Sequence, residues 1–337
     1  MEFFPRTADF GKMNKPKLLY YSVQDFMRAS IDLMHAHFDV LTLPDPTHDT
    51  VDILKNIQLL TAPMGYVVDK EKINRCPRLK IIGTPTTGTV HIDADYATTK
   101  DITICSLGNH QEFLSTLTAT AELTWGLLLT VVRRIPWAHA SVCQGHWNAR
   151  VFGKQTRKML SRMSLGIVGL GRLGTMVAEY GRAFNMKVHY YDPHVQASDY
   201  IKVGTLHDLA QASDILTIHA QLTKDTENLI DRDIIFALSK GAYIVNTARG
   251  GILDEDALLD ALNSGHIAGA GLDMLAGEHL PGFKQAMQDH PLIQYACQHE
   301  NLVITPKIGG STVDSWEEAE RFIIDEMLDA WERKETL

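Results

Sequence analysis

The sequence predicts an α/β protein built on parallel sheets, and three observations carry that expectation. Met163-Ser-Leu-Gly-Ile-Val-Gly-Leu-Gly-Arg-Leu-Gly174 reads as a strand, a tight glycine turn and the start of a helix. Short apolar runs alternate with helical spacings on both sides of it, the rhythm of parallel β-α units. A chain of 337 residues, 45 % apolar, is long enough for two domains with large cores.

The glycine turn comes first in the argument. Leu165–Val168 is apolar and β-branched, as a buried strand should be. Gly169, Gly171 and Gly174 form G-x-G-x-x-G, and Val177, Tyr180 and Phe184 follow at helical spacing. The first glycine permits the turn, the second lets backbone approach a pyrophosphate, and the third lets helix and strand pack closely. The helix N-terminus adds N–H groups and the positive dipole end. Glycines also mark ordinary turns, so the motif alone is weak. Here a second strand, Lys187–Tyr191, ends in Asp192. An acid at that point can accept the ribose hydroxyls of an adenosine and repel a 2′-phosphate.

Before the turn, strands are expected at Lys17–Tyr21, Phe38–Leu43, Ile57–Thr61, Leu79–Gly83 and Ile102–Cys105, after a loose terminus of about 15 residues. Helical spacing covers Gln24–His35 and, briefly, Val51–Asn56. Ligands of parallel sheets sit beyond the carboxyl ends of strands. That makes Ala62–Gly65, which holds Met64, and Thr84–Gly88 candidate substrate loops, with plain turns as the alternative. Thr118–Arg134 is apolar nearly all round, so it belongs between layers or subunits. Trp137 and Trp147 follow it and suit an interface or a core.

After the turn, strands are expected at Ile215–His219, Ala242–Asn246, Ala268–Leu272 and Leu302–Thr305. A helix spans Asp254–Asn263, and a last helix starts at Ser311 with Asp314 as a capping box, running to about Glu332.

Composition excludes several classes. The net charge is −9 with no basic cluster, so no nucleic acid is expected. No apolar run approaches ~20 residues, so no membrane span is expected. The N-terminus lacks the pattern of a secretory signal. Cys76, Cys105, Cys143 and Cys297 are scattered without C-x-x-C spacing, which fits reduced thiols in a cytoplasm and no metal site.

Three charged residues follow strand ends in the second half: Arg249, Glu278 and Lys307. Singly each reads as a solvated loop charge. Together they suit hydride transfer to a 2-oxo acid. A guanidinium grips the carboxylate bidentately, a donor protonates the carbonyl oxygen, and a carboxylate keeps the donor charged.

With these residues in place, the sequence resembles the D-isomer-specific 2-hydroxyacid dehydrogenase family. The matching segments are Gly83–Asp93, Thr120–Glu122, Gly166–Gly174, Tyr191–Pro193, His219–Thr226, Val245–Glu255, Ala270–Asp273, Glu278 and Asn301–Thr312. The resemblance covers essentially the whole chain. It implies two Rossmann-like or flavodoxin-like parallel-sheet domains, the cofactor domain inserted into the substrate domain. Residues 1–115 and 307–337 would form the substrate domain, and residues 116–306 the NAD-binding domain. It implies Arg249 as the carboxylate grip, Glu278 as its acidic companion, and Met64, Thr87 and Gly88 near the substrate. Cofactor contacts fall on Gly169, Gly171, Arg172, Leu173, Gly174, Asp192, Ala220, Gln221, Thr226, Thr247, Ala248, Asp273, Gly309 and Gly310. It also implies a small 2-oxo or 2-hydroxy acid as partner and a homodimer through the cofactor domain, which fits the apolar helix Thr118–Arg134.

One departure concerns chemistry. The family's proton-donating histidine belongs in Thr-Pro-His-x-Gly-Gly, and here the segment reads Thr305-Pro-Lys307-Ile-Gly-Gly310. The stretches Ser106–Thr120 and Glu278–Leu292 are longer than in many members. The leading expectation is an NAD-dependent 2-hydroxyacid dehydrogenase or 2-oxoacid reductase that uses Lys307, with His110 and His279 as reserve donors. The alternative is an NAD(H)-sensing protein whose chemistry has lapsed.

Overall fold

The computed structural model describes residues 15–278, 280 and 282–336. The expected loose terminus, apart from Lys15, and His279 lie outside the described residues. The chain divides into two compact units. One joins the chain up to Leu117 with Thr312 onward, and the other is Thr118–Ser311.

The first unit carries a five-stranded sheet of β1 (Lys17–Tyr21), β2 (Asp39–Leu43), β3 (Leu59–Thr61), β4 (Ile81–Thr84) and β5 (Thr103–Ser106). Its order is β2-β1-β3-β4-β5 and every pairing is parallel, the flavodoxin-like arrangement. β3 and β4 are buried at every residue, which is why they read as unbroken apolar runs. The last helix, Val313–Glu335, packs on this sheet and buries Ile323, Ile324 and Met327. Gly83 is needed there, because a Cβ would lie 2.1 Å from the Met327 sulfur.

Two expectations in this unit shift. The first helix spans Arg28–His37 rather than Gln24–His35. Asp25 ends a 3₁₀ turn in the left-handed region (φ 50°), and the Glu320 carboxylate accepts the Met27 N–H, so the helix cannot begin earlier. The last helix is capped by Thr312, whose hydroxyl accepts the Ser315 N–H, not by Ser311. Asp314 receives the Thr312 hydroxyl and the Ser315 N–H instead of closing a box.

The second unit holds β6 (Ser164–Val168), β7 (Lys187–Tyr191), β8 (Ile201–Lys202), β9 (Ile215–Ile218), β10 (Ala242–Asn246), β11 (Ile267–Leu272) and β12 (Leu302–Ile304). Their order is β12-β11-β10-β9-β6-β7-β8, all parallel. This is the doubly wound Rossmann arrangement, and the order reverses between β6 and β9. β8 was too short and too polar to be read from sequence.

The helix Ala119–Arg133 lies between layers, one of the two places expected for it. Ala121, Trp125, Leu127, Leu128, Val131 and Val132 are buried, and the helix packs on β10, β11 and the helix Arg172–Ala183. Most of its apolar surface is consumed inside the second unit. By composition alone Gln111–Arg133 would pass for a membrane span. Leu117 is extended, however, and the helix beyond it has 15 residues, about 22 Å against a ~30 Å hydrocarbon layer.

The chain leaves the second unit after Ser311, later than the expected boundary at 306/307. The reason is local: the N–H groups of Ile308 and Gly309 donate to the Asp273 carboxylate at 2.8 Å each.

Candidate active site

At the switch point, β6 delivers Gly169 with φ +86°, a conformation open to glycine. A Cβ there would press on Ala220 N at 3.0 Å, and one on Gly174 would lie 2.1 Å from the Gly169 oxygen. A Cβ on Gly171 would meet nothing within 4 Å, so the space before it is open. The helix Arg172–Ala183 begins there with no side chain capping it. Open space, a bare helix N-terminus and a buried acid at the end of β7 together fit a pyrophosphate and its ribose.

That acid, Asp192, has a structural duty as well. Its carboxylate accepts N–H groups from Leu170 (2.8 Å), His194 (2.8 Å) and Val195 (2.9 Å). Burial pushes its pKa up, but these N–H groups outweigh burial and hold it below the usual carboxylate range. A carboxylate accepts about four hydrogen bonds, so room remains for about one further donor rather than two ribose hydroxyls with ease. Just past β9, His219 meets the Thr217 hydroxyl at 2.9 Å, and burial pushes its pKa down to about 3. The loop after it folds on Thr226, whose hydroxyl donates to the Gln221 carbonyl at 2.6 Å and accepts the Thr223 N–H at 2.7 Å.

Beyond β10 the loop Thr247-Ala-Arg249 is held by Asn246, a fully buried residue not singled out from sequence. Its amide donates to the Arg249 carbonyl (2.9 Å) and its oxygen accepts the Ala248 N–H (3.0 Å). Thr247 bonds the Thr124 hydroxyl at 2.7 Å. Arg249 itself is exposed, its Nη1 donating to the Ala248 carbonyl at 2.6 Å. Thr124 and Asn246 were legible only as helix and strand residues, since contact across the fold defines their part.

The structure brings Glu278 and Lys307 together. Lys307 Nζ lies 3.4 Å from Glu278 Oε1, and Glu278 Oε2 accepts the Leu275 N–H at 2.9 Å. Lys307 sits in the left-handed region at φ 59°, a conformation that costs a non-glycine residue ~1–2 kcal/mol. Asp273 imposes it. Its backbone carbonyl accepts the Lys307 N–H (3.0 Å), and its carboxylate takes the Thr305 hydroxyl (2.5 Å) together with Ile308 and Gly309. Asp273 is therefore the residue that shapes the Lys307 loop, a part that sequence spacing did not reveal. Gly310 is exposed beside it.

In the first unit, Met64 is exposed in the turn Pro63–Tyr66, and Thr87 is exposed at the tip of the loop after β4. The Gly88 carbonyl accepts the Thr86 hydroxyl at 2.7 Å. His110, a reserve donor, is engaged elsewhere, 3.5 Å from Glu326 and edge-on to Phe322. No cluster of metal-ligating groups occurs among the described residues.

Fold and site define an α/β dinucleotide-binding protein with an ammonium–carboxylate pair and a guanidinium on loops of the same unit. Residues 125–309 match the NAD binding domain of the D-isomer specific 2-hydroxyacid dehydrogenases. The chain is 35 % identical over 271 residues to a D-3-phosphoglycerate dehydrogenase of Bacillus subtilis, covering 79 % of this chain and 48 % of that protein. It is 34 % identical over 280 residues to a glyoxylate reductase of Thermofilum pendens, covering 78 % and 76 %. Among solved structures, the TT0316 protein of Thermus thermophilus superposes with a TM-score of 0.79 at 29 % identity, covering 94 % of this chain and 97 % of the other. A D-lactate dehydrogenase of Aquifex aeolicus, complexed with NAD and lactic acid, gives 0.75 at 28 %, covering 94 % of each. The chain belongs to the D-isomer-specific 2-hydroxyacid dehydrogenase family, and its second unit is an NAD-binding domain. It spans about half the length of the phosphoglycerate dehydrogenases it matches.

Proposed function

We propose that the protein is an NAD-dependent dehydrogenase that interconverts a small 2-oxo acid and its 2-hydroxy acid, with Lys307 as the proton donor. The observation that carries the reading is the Lys307–Glu278 pair at 3.4 Å on a turn that Asp273 forces into shape. The bound nicotinamide supplies or accepts the hydride. Gly169, Gly171, Gly174, Arg172 and Leu173 hold the pyrophosphate, and Thr247 and Ala248 line the nicotinamide side. Arg249 grips the substrate carboxylate with its two-pronged fork. Lys307 gives its proton to the carbonyl oxygen as that oxygen gains charge. Glu278 keeps the ammonium charged and aimed. In the first unit, Met64 and the N–H groups of Thr87 and Gly88 are assigned to the substrate. A panel of 2-oxo acids with NADH, followed at the nicotinamide absorbance, tests the reading. Turnover of at least one acid is expected. NADH bound tightly with no acid turned over would favour the sensing protein, for which the lysine in place of a histidine is the motive.

NAD is expected over NADP. Asp192 is followed by Pro193 and His194, with no arginine to receive a 2′-phosphate. An ionised carboxylate facing that phosphate should disfavour NADPH by roughly 1–3 kcal/mol, or about 5- to 150-fold. Equal kcat/KM with the two cofactors would contradict this.

A homodimer through the NAD-binding domain is also proposed, by way of the surface around Trp147. The helices Ile135–Cys143 and Ala149–Gln155 bury none of their residues. Trp147 between them is 89 % exposed, and Ile135, Val142, Val151 and Met159 are exposed near it. Such a patch marks an interface. Sedimentation should find a dimer, and Trp147→Asp with Val151→Asp should yield monomers that retain their helix content. A dimer unaffected by the double substitution would move the interface elsewhere.

A further inference from the structure

Behind Glu278 lies a second pair of titratable groups that the reaction as proposed does not use. Glu255 opens the helix Glu255–Asn263, and His290 directly precedes the helix Pro291–Gln298. His290 Nε2 lies 3.3 Å from Glu255 Oε2, with side chains only 16 % and 15 % exposed. Glu255 Oε1 accepts the Ala276 N–H at 2.7 Å, and Glu278 Oε2 accepts the adjacent Leu275 N–H at 2.9 Å. Two carboxylates thus clamp consecutive N–H groups of one loop. Gly250 packs on the same peptide, where a Cβ would lie 2.0 Å from the Leu275 carbonyl carbon. The Arg249 loop, the Glu278 loop and the Glu255 helix are therefore one tightly packed assembly.

Two carboxylates this close resist ionising together. Glu278 has Lys307 as its counter-charge, whereas Glu255 has His290. The charges facing Glu255 are His290, its helix neighbour Asp256, and Glu278. Burial pushes the Glu255 carboxyl up to about 7; the Ala276 N–H opposes this, and Asp256 and Glu278 add to it. Burial lowers the pKa of His290, against Asp256. His290 Nδ1 is buried without a hydrogen-bond partner among the described residues. A neutral imidazole carries one N–H. While the Glu255 carboxyl is protonated, its O–H donates to Nε2 and the ring proton sits on Nδ1. Once the carboxyl proton is released, the ring N–H sits on Nε2 and donates to the carboxylate. The proton that the pair gains or loses near neutrality is thus the one beyond the ring's own N–H, at the Glu255 Oε2–His290 Nε2 contact.

We infer that Glu255 and His290 hold one proton between them and that its release changes the charge behind Glu278 and so the proton affinity of Lys307. They are positioning residues acting through Glu278, and their bearing on turnover rests on Lys307 being the donor. With the proton the pair is neutral, and without it the pair carries one negative charge. That charge favours the ammonium, so Lys307 holds its proton more tightly once the pair has released its own.

The proton affinity of Lys307 is read without cofactor or substrate, as the pH profile of its acylation by trace acetic anhydride, quantified by peptide mass spectrometry. Glu255→Gln keeps an acceptor for Ala276 but cannot ionise. It should lower the Lys307 midpoint by about half a pH unit, the scale of one partly screened charge. Glu255→Asp keeps the charge and should stay near the parent. No shift in Glu255→Gln, or the same shift in both variants, overturns the inference, the second because it shows a mere brace. Should either variant fail to fold, NMR of the unsubstituted protein decides. The Glu255 carboxyl carbon and the His290 ring should titrate with one common midpoint, as coupled groups do, and separate midpoints overturn the coupling. Turnover plays no part, so an inert protein with the expected shift refutes the dehydrogenase reading while leaving this inference standing.

Discussion

Lys307→Met should remove at least about 100-fold of kcat in both directions while leaving NADH binding intact, the span that a positioned proton donor contributes. Methionine matches the lysine stem and cannot donate, and the left-handed turn that Asp273 sets remains for it to occupy. The pH profile carries the sharper expectation. An ordinary imidazole titrates near pH ~6.5 and an ordinary amine near ~10.4. Reduction of the oxo acid needs the protonated donor, so it should persist well above neutrality. Oxidation of the hydroxy acid needs the neutral amine, so it should be weak at neutral pH and rise towards alkaline pH. Lys307→His should carry the oxidation limb to lower pH. Steady-state rates of both directions across pH, for the parent and the two variants, check this. A parent-like rate in Lys307→Met would remove the lysine from the chemistry.

Arg249→Lys should cost about 100-fold in kcat/KM, about 3 kcal/mol of transition-state stabilisation, with NADH affinity unchanged. The guanidinium offers two parallel donors matched to a carboxylate, and an ammonium offers a single point charge. The loop that presents it should survive, because Asn246 grips the backbone of Ala248 and Arg249 rather than the side chain. Kinetics of the variant with the best acid from the panel, beside NADH titration by fluorescence, separate substrate grip from cofactor binding. Near-parental kcat/KM would show that the carboxylate is held elsewhere.

Much of the fold was legible because its signals are local. The strands β6, β9 and β10 are buried throughout or nearly so and therefore read as apolar runs, and the glycine turn declares itself through Gly169 and Gly174, where a Cβ would press on backbone, with Gly171 between them facing open space. Elements whose sequences lack period were missed. The two-residue β8 is one, and the six-residue helix Leu206–Gln211 is another. The helix Ala119–Arg133 was read as apolar all round, with its place left open between layers or subunits. Hydrophobicity says that a face must be covered, not by what, and here β10, β11 and the helix Arg172–Ala183 cover it. The exposed patch around Trp147 carries fewer apolar residues and was correspondingly faint.

The sequence by itself determined most of the strands and their alternation with helices, the dinucleotide turn with Asp192 after it, and the charged residues Arg249, Glu278 and Lys307 beyond strand ends. Those depend on neighbours within a few residues, where side-chain type and backbone preference act directly. Only the tertiary structure decided what each polar group does. Asp192 spends three acceptor positions on backbone N–H groups from two segments, and Asp273 bends the Lys307 turn from the next strand over. Glu255 meets His290 across 35 positions of chain. A buried carboxylate is satisfied by whichever donors the packing of the sheet delivers, and that delivery is a property of the strand order rather than of any stretch of sequence.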